Sequence, residues 1–224
     1  MHGILYMNTD LLENKMLFDK GMSLISTDRR NQILTMKNPV SARLSMGAGI
    51  LLRLAMERYG FGEYLNDIKY GKYGKPYIEN IDFHFSLSHS GNCVICAYSD
   101  VPIGADLQII KTKMPVHTSK ILSDEEKLFL ETLNETDRTK LFFQLWAKKE
   151  SLVKWDGRGL RLPLHHFSFI HNNHICDSLH FQGKQLYFKE ITILMPAYAI
   201  CICSEQKIEQ KECTEITEKF LTKY

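Results

Sequence analysis

The 224-residue chain contains no run of about 18 apolar residues, so no membrane-spanning helix is expected. Its start, MHGILYMNTDLLENK, meets charges after a brief apolar stretch, which is not the pattern of a signal peptide. Together these absences point to a cytoplasmic protein with no membrane partner. The chain also lacks any low-complexity segment or obvious linker. Net charge is only +2 and the lysines are scattered, so no basic stripe marks a nucleic-acid-binding surface. The six cysteines do not form a finger pattern. Cys93 and Cys96 have CxxC spacing but lie inside the strand-like run NCVICAYS, and Cys201 and Cys203 lie inside YAICICS. The histidines of PLHHFSFIHNNHI have no companion cysteine pair, so a polar loop is favoured there. Core thiols are favoured over zinc or redox chemistry, because zinc ligands usually sit near turns.

What is present is ordinary for a globular protein: 44% hydrophobic and 24% charged residues, enough for one large domain or two small ones. Residues 41–59 read as a helix that Gly60 stops. KYGKPYIEN, 72–80, is turn-rich. Residues 83–88 alternate as a strand, HSGN turns, CVICAYS returns, SDVP turns again, and Ile103 to Ile110 makes a third strand. This predicts a three-stranded antiparallel meander. In the second half, Ser123 with Glu126 three residues on forms a capping-box pattern. A long helix is expected from Asp137 to Trp155, strands at 166–170, 185–194 and 197–203, and a charged, peripheral tail at 205–224. LLRLAMERYG and KKESLVKWDG each close a helix with an aromatic, one residue and a glycine, while NCVICAYSD and YAICICSEQ are similar core strands. Two α+β halves would explain this faint echo, as would chance likeness between amphipathic segments.

The long helix carries an anomaly. On residues 141–154, Phe142, Leu145, Trp146, Leu152 and Val153 gather on one side, with Lys149 at the centre of that stripe and Glu150 at its edge. Gln144, Lys148 and Ser151 take the opposite, polar side. Buried charge is costly unless paired or metal-bound, so the helix carries a structural ion pair or helps build an active site. In IGADLQI, Ile103, Ala105, Leu107 and Ile109 are assigned to the core face, with Gly104, Asp106 and Gln108 on the other. If the helix crosses the sheet, Asp106 and Glu150 meet as two hard-oxygen ligands suited to Mg²⁺, with Lys149 and Lys154 near enough to neutralise phosphate. Gly104 would let a ligand approach the backbone. Alternatively, Glu150 and Lys154 form only an i,i+4 pair and Asp106 caps a turn. SLSHSG, 86–91, crowds hydroxyls and an imidazole into a turn that suits phosphate, or is plain turn chemistry. Ser88 or Ser90 with His89 makes a poor nucleophile–base pair.

YGKP (73–76), SLSHSG (86–91), IGADLQ (103–108) and WAKKESLVKWDGRGL (146–160) occur in this order, and with them the chain resembles the phosphopantetheinyl transferases of the surfactin-synthetase-activating type from about Asp28 to Ile202. The resemblance implies an α+β pseudodimer of two similar α/β halves, 1–102 binding coenzyme A and 103–224 binding Mg²⁺ and the carrier protein, with the active site in the cleft between them. It implies a Mg-dependent holo-[acyl-carrier-protein] synthase that moves the 4′-phosphopantetheine arm of coenzyme A onto a serine of an acyl or peptidyl carrier protein and releases adenosine 3′,5′-bisphosphate. By the same resemblance Asp106, Gln108 and Glu150 are metal positions, and Asp106, Glu150, Lys154 and Glu126 are catalytic, Glu126 as a helper for the carrier serine. Arg29, Arg43, Lys75, Pro76, Ser88, His89 and Lys154 match coenzyme A contacts. Gly157 to Leu164 and the following strands match the carrier-docking surface. Gln108 departs from the family's frequent glutamate and removes one negative charge. The surfactin type implies a monomer serving secondary metabolism, such as nonribosomal peptide or polyketide synthesis. A noncatalytic coenzyme A or carrier-protein binder on the same fold is the alternative.

Overall fold

The computed structural model describes residues 2–116, 118–193, 197–209 and 213–223, with the side chain of Leu160 outside that description. In chain order the elements are β1 (His2–Asn8), α1 (Lys15–Leu24), α2 (Thr27–Thr35), α3 (Pro39–Arg58), β2 (Lys69–Tyr70), β3 (Pro76–Tyr77), β4 (His84–Ser90), β5 (Cys93–Ser99) and β6 (Ile103–Ile109). Then follow α4 (Asp124–Glu131), α5 (Glu135–Asp156), β7 (Ile170–His171), β8 (His174–Ile175), β9 (Ser178–Phe181), β10 (Lys184–Glu190), β11 (Tyr198–Ser204), β12 (Cys213–Glu215) and α6 (Glu218–Leu221). The class is α+β. The chain divides into two compact units, Met1–Gly71 with Pro76–Asp100 and Gln210–Tyr224, and Lys72–Lys75 with Val101–Glu209.

In the first unit the sheet order is β12-β1-β5-β4. The expected meander stops after two strands. β1 pairs with β5 along its whole length, from His2↔Ser99 to Asn8↔Cys93, so that edge of β5 is filled, and β6 leaves to pair with β11 instead. The 205–224 tail is not peripheral. β12 adds to β1 in parallel, and Ile216 and Leu221 are fully buried in the first core; Gln210, Lys211, Glu212 and Tyr224 lie outside the described residues. β1, α1 and α2 carry no expectation from sequence. α3 spans its expected residues, with Asn38 accepting from Val40 and Ser41 at its start and Gly60 at φ +76° just past its end.

In the second unit the order is β6-β11-β10-β9. Strand β10 ends at Glu190, short of the expected 194; Leu194 lies outside the described residues. The expected strand at 166–170 is mostly irregular chain: the turn Leu164–His166 reaches only its first residue, and the two-residue β7 starts at its last. α5 begins under an Asn134 cap and ends at Gly157, whose left-handed φ of +83° suits glycine. It packs on β6 and β11 so closely that a Cβ at Gly104 would sit 2.1 Å from the Ser151 carbonyl oxygen. Gly104 therefore admits a helix, not a ligand. This also reverses the expected faces of β6: the second core lies on the side of Gly104, Asp106 and Gln108, whose register partners Cys203, Cys201 and Ala199 belong to that core. Ile103, Ala105 and Leu107, on the opposite face, are buried as well.

The helix is buried almost all round. Lys148 and Ser151, assigned to a polar side, are 1% and 0% exposed. Lys148 Nζ reaches Asp177 Oδ1 at 2.8 Å and the Cys176 carbonyl at 3.1 Å, so its stem is covered while its charge is paired. Among the described residues no helix is long and apolar enough to cross a membrane.

Candidate active site

Two ionic clusters meet on α5 in the second unit. The first is enclosed. Lys149 Nζ pairs with Glu126 Oε2 at 2.8 Å and donates to the carbonyls of Leu164 at 2.8 Å and Phe167 at 2.7 Å. Glu126 also accepts from the Ser123 N–H, completing the expected capping box, and from the Phe169 N–H, each at 2.9 Å. Both side chains are fully buried. Lys149 is thus held by a carboxylate and two carbonyls, a structural ion pair. Of the two explanations for a charge on this apolar stripe, that one applies to Lys149.

The second cluster is more open. Asp106 projects from β6 toward α5, its Oδ1 accepting from Lys154 Nζ and its Oδ2 from Gln108 Nε2, both at 2.7 Å. Gln108 therefore steers Asp106 with its amide nitrogen. Glu150 is held above the ordinary carboxylate range, first by burial and then by the negative charge of Asp106, against the pull of Lys154 and a hydrogen bond from the Trp146 indole. The two carboxylates compete for one ammonium. Glu150 also lines a cavity of about 560 Å³, with Lys120, Ile121, Trp146, Val153 and the Leu162–His165 stretch as its walls. Trp146 stacks on Phe143, packs against the second core and also lines this cavity.

Lys75, in the short piece of chain that belongs to the second unit, donates to the Trp155 carbonyl at 2.8 Å, at the negative end of α5. Burial pulls its ammonium down to about 8. Apart from Lys154 on α5, the other expected coenzyme A contacts lie in the first unit. Ser88 is buried and His89 exposed, on opposite faces of β4, which is why they cannot act as a nucleophile and its base. The SLSHS residues belong to the strand, and only Gly91 and Asn92 turn. Arg43 pairs with Glu13 at 3.0 Å; Arg29 donates to the Ser45 carbonyl at 3.2 Å and hydroxyl at 3.4 Å. Pro76 pairs with Tyr70 in the β2–β3 hairpin. Cys93 and Cys96 fall on opposite faces of β5 and cannot share a ligand, and burial pushes the Cys93 and Cys201 thiols up to about 12.

Sequence reading missed the bond between Glu126 and Lys149, although each residue stood out for its own reason. It also missed Lys120, Ile121 and His165 at the cavity, which carry no motif. Asp106, Gln108, Glu150 and Lys154 are brought together; Glu126 belongs with Lys149.

Comparison with known proteins identifies the family. Residues 102–203 match the 4′-phosphopantetheinyl transferase superfamily. The chain is 31% identical over 192 residues to the 4′-phosphopantetheinyl transferase Sfp of Bacillus subtilis, covering 83% of this chain and 84% of that one. It is 28% identical to the B. subtilis transferase ffp over 99% of both chains. Over 59% of this chain and 56% of the relative, it is 31% identical to the transferase gsp of Aneurinibacillus migulanus. On this similarity, and with the Asp106, Glu150 and Lys154 cluster in place, the chain belongs to the 4′-phosphopantetheinyl transferase superfamily, in its Sfp-like branch.

Proposed function

We propose that the protein transfers the 4′-phosphopantetheine arm of coenzyme A to a serine of an apo acyl or peptidyl carrier protein, releasing adenosine 3′,5′-bisphosphate. The observation that carries this reading is the cluster itself: Asp106 paired with Lys154, and Glu150 near enough to feel both charges while it lines a cavity. The two carboxylates offer hard oxygen donors, which suit a small divalent cation. Asp106 and Glu150 would hold Mg²⁺, with Gln108 orienting Asp106 or, with its amide turned, lending its oxygen. When bound, the ion neutralises charge on the pyrophosphate.

The chain's own residues do the rest. Lys154 stabilises charge that builds on the phosphate oxygens. Glu150, at the cavity wall, takes the proton of the carrier serine. The serine oxygen bonds to the pantetheine-side phosphorus, and the bridging P–O bond to the nucleotide-side phosphate breaks. Glu126 is a weaker candidate for this base, being fully buried with both oxygens bonded to Lys149, Ser123 and Phe169. Ser88, His89, Lys75, Pro76, Arg43 and Arg29 are proposed to hold coenzyme A, on the family resemblance. The repeated plan supports the pseudodimer reading: each unit sets one long helix against a four-stranded sheet, and the glycines Gly60 and Gly157 follow both helices. That reading takes the two units as the halves of the family's fold, with coenzyme A in its cleft. A monomeric cytoplasmic enzyme with a carrier docked near Gly157–Leu164, serving secondary metabolism, completes the proposal. A noncatalytic binder would have no use for Asp106, Glu150 and Lys154 together.

The test is intact-protein mass spectrometry of apo fatty-acid and peptidyl carriers incubated with the protein, coenzyme A and Mg²⁺. Gain of the phosphopantetheine mass, abolished by EDTA, is the expected result. Coenzyme A binding without mass gain on any carrier would leave the binder reading standing.

A further inference from the structure

Leu162, Pro163, Leu164 and His165 line the cavity together with Glu150, and only a single 3-10 turn, Leu164–His166, lends this stretch regular structure. Lys120 and Ile121, which also line it, lie in the irregular chain before α4. Both walls are nevertheless tied to one buried pair. Lys149 uses its three N–H donors on Glu126, the Leu164 carbonyl and the Phe167 carbonyl. Glu126 fixes the Phe169 N–H on one side and the Ser123 N–H, two residues after Ile121, on the other. Apolar contact would exclude water as well but would not fix carbonyl and N–H directions, since dispersion is not directional.

We propose that Lys149 and Glu126 are positioning residues of the transfer reaction: they hold the 120–121 and 162–165 walls against Glu150 so that the carrier segment bearing the serine seats beside it. The inference rests on the assignment of Glu150 as the base. Lys149 touches neither substrate nor metal on this account, and Glu126 acts through the backbone it holds.

The deciding variant is the double substitution Glu126→Leu with Lys149→Met, which removes both charges together and leaves neither orphaned. Steady-state transfer, thermal unfolding and amide hydrogen exchange are measured on it. The expected result is cooperative unfolding near the parent temperature and a KM for coenzyme A within about twofold of the parent. The KM for carrier rises about tenfold, and exchange over residues 162–169 quickens about tenfold. A folded double variant with the parent's carrier KM and exchange would overturn the proposal. If the double variant does not fold, Glu126→Gln decides. Positioning predicts a raised carrier KM with kcat and its pH profile retained. Loss of kcat as deep as that of Glu150→Gln, with carrier KM unchanged, would make Glu126 catalytic and overturn it. Full transfer by Glu150→Gln would sink the underlying assignment, whereas an inactive Glu150→Gln beside a parent-like double variant would sink the positioning role alone.

Discussion

The two ionic clusters on α5 sit on neighbouring residues and could hardly differ more. At Lys149 and Glu126 one ammonium meets one carboxylate, burial is complete, and two carbonyls and two N–H groups complete the set. At the second cluster Asp106 pairs with Lys154, their charges act on Glu150, and a cavity opens at Glu150. A balanced, enclosed pair is an answer to the cost of burying charge. An unbalanced, accessible one leaves an electrostatic problem for a ligand to solve, and such sites are where function concentrates. The contrast separates two residues that the sequence had grouped together, since Lys149 and Glu150 are adjacent in WAKKES.

The contrast can be broken most severely at the open cluster. Glu150→Gln or Asp106→Asn should lower transfer by about a thousandfold, roughly 4 kcal/mol of barrier, with folding intact by circular dichroism. Unfolding of either would instead show a structural pair. At the enclosed cluster, Lys149→Met leaves Glu126 buried and unpaired, and the expected loss of stability is about 3–5 kcal/mol by denaturant titration. Next in size is Gly104→Ala, whose methyl meets the backbone of Ser151 and Trp155; a loss of about 1–3 kcal/mol or more is expected by the same titration.

A smaller effect has the opposite sign. The Glu150 carboxyl holds its proton more tightly in the folded chain than in the unfolded one, so raising pH from the ordinary carboxylate value through its raised one costs stability. Glu150→Gln should therefore raise the melting temperature of the metal-free protein at neutral pH by roughly a few degrees, even as it removes activity. No change in melting temperature would show that the ionised carboxylate is not strained there. Least disruptive is a chemical probe of Lys75. With its ammonium pulled down to about 8, it should be acylated at pH 8 ahead of lysines of similar exposure in competitive trace labelling, provided its bond to Trp155 opens.

The sequence was most legible where a local rule sufficed. Asn38 and Gly60 bracket α3, Ser123 and Glu126 form their capping box, and β5 and β11 are the buried runs their apolar residues require. The motifs around Asp106 and Glu150 pointed to two carboxylates that the fold brings near each other. It was least legible where one element decides the fate of another. Nothing in SDVP says that β1 fills the edge of β5, so the third strand of the meander was assigned to the wrong sheet. The charged tail hid Ile216 and Leu221, two apolar residues that suffice to dock it. Alternation gave β6 two faces but not which one would meet α5.

The sequence by itself determined the family, the helix ends, and the presence of two carboxylates and a lysine within reach of phosphate chemistry, because those rest on residue identity and short spacing. Only the tertiary structure decided that Gly104 makes room for a helix, that Lys148 is covered, and that Glu126 pairs with Lys149. Those outcomes depend on which backbone donors and carbonyls arrive beside a buried charge, and they arrive from residues up to 43 positions away in the chain.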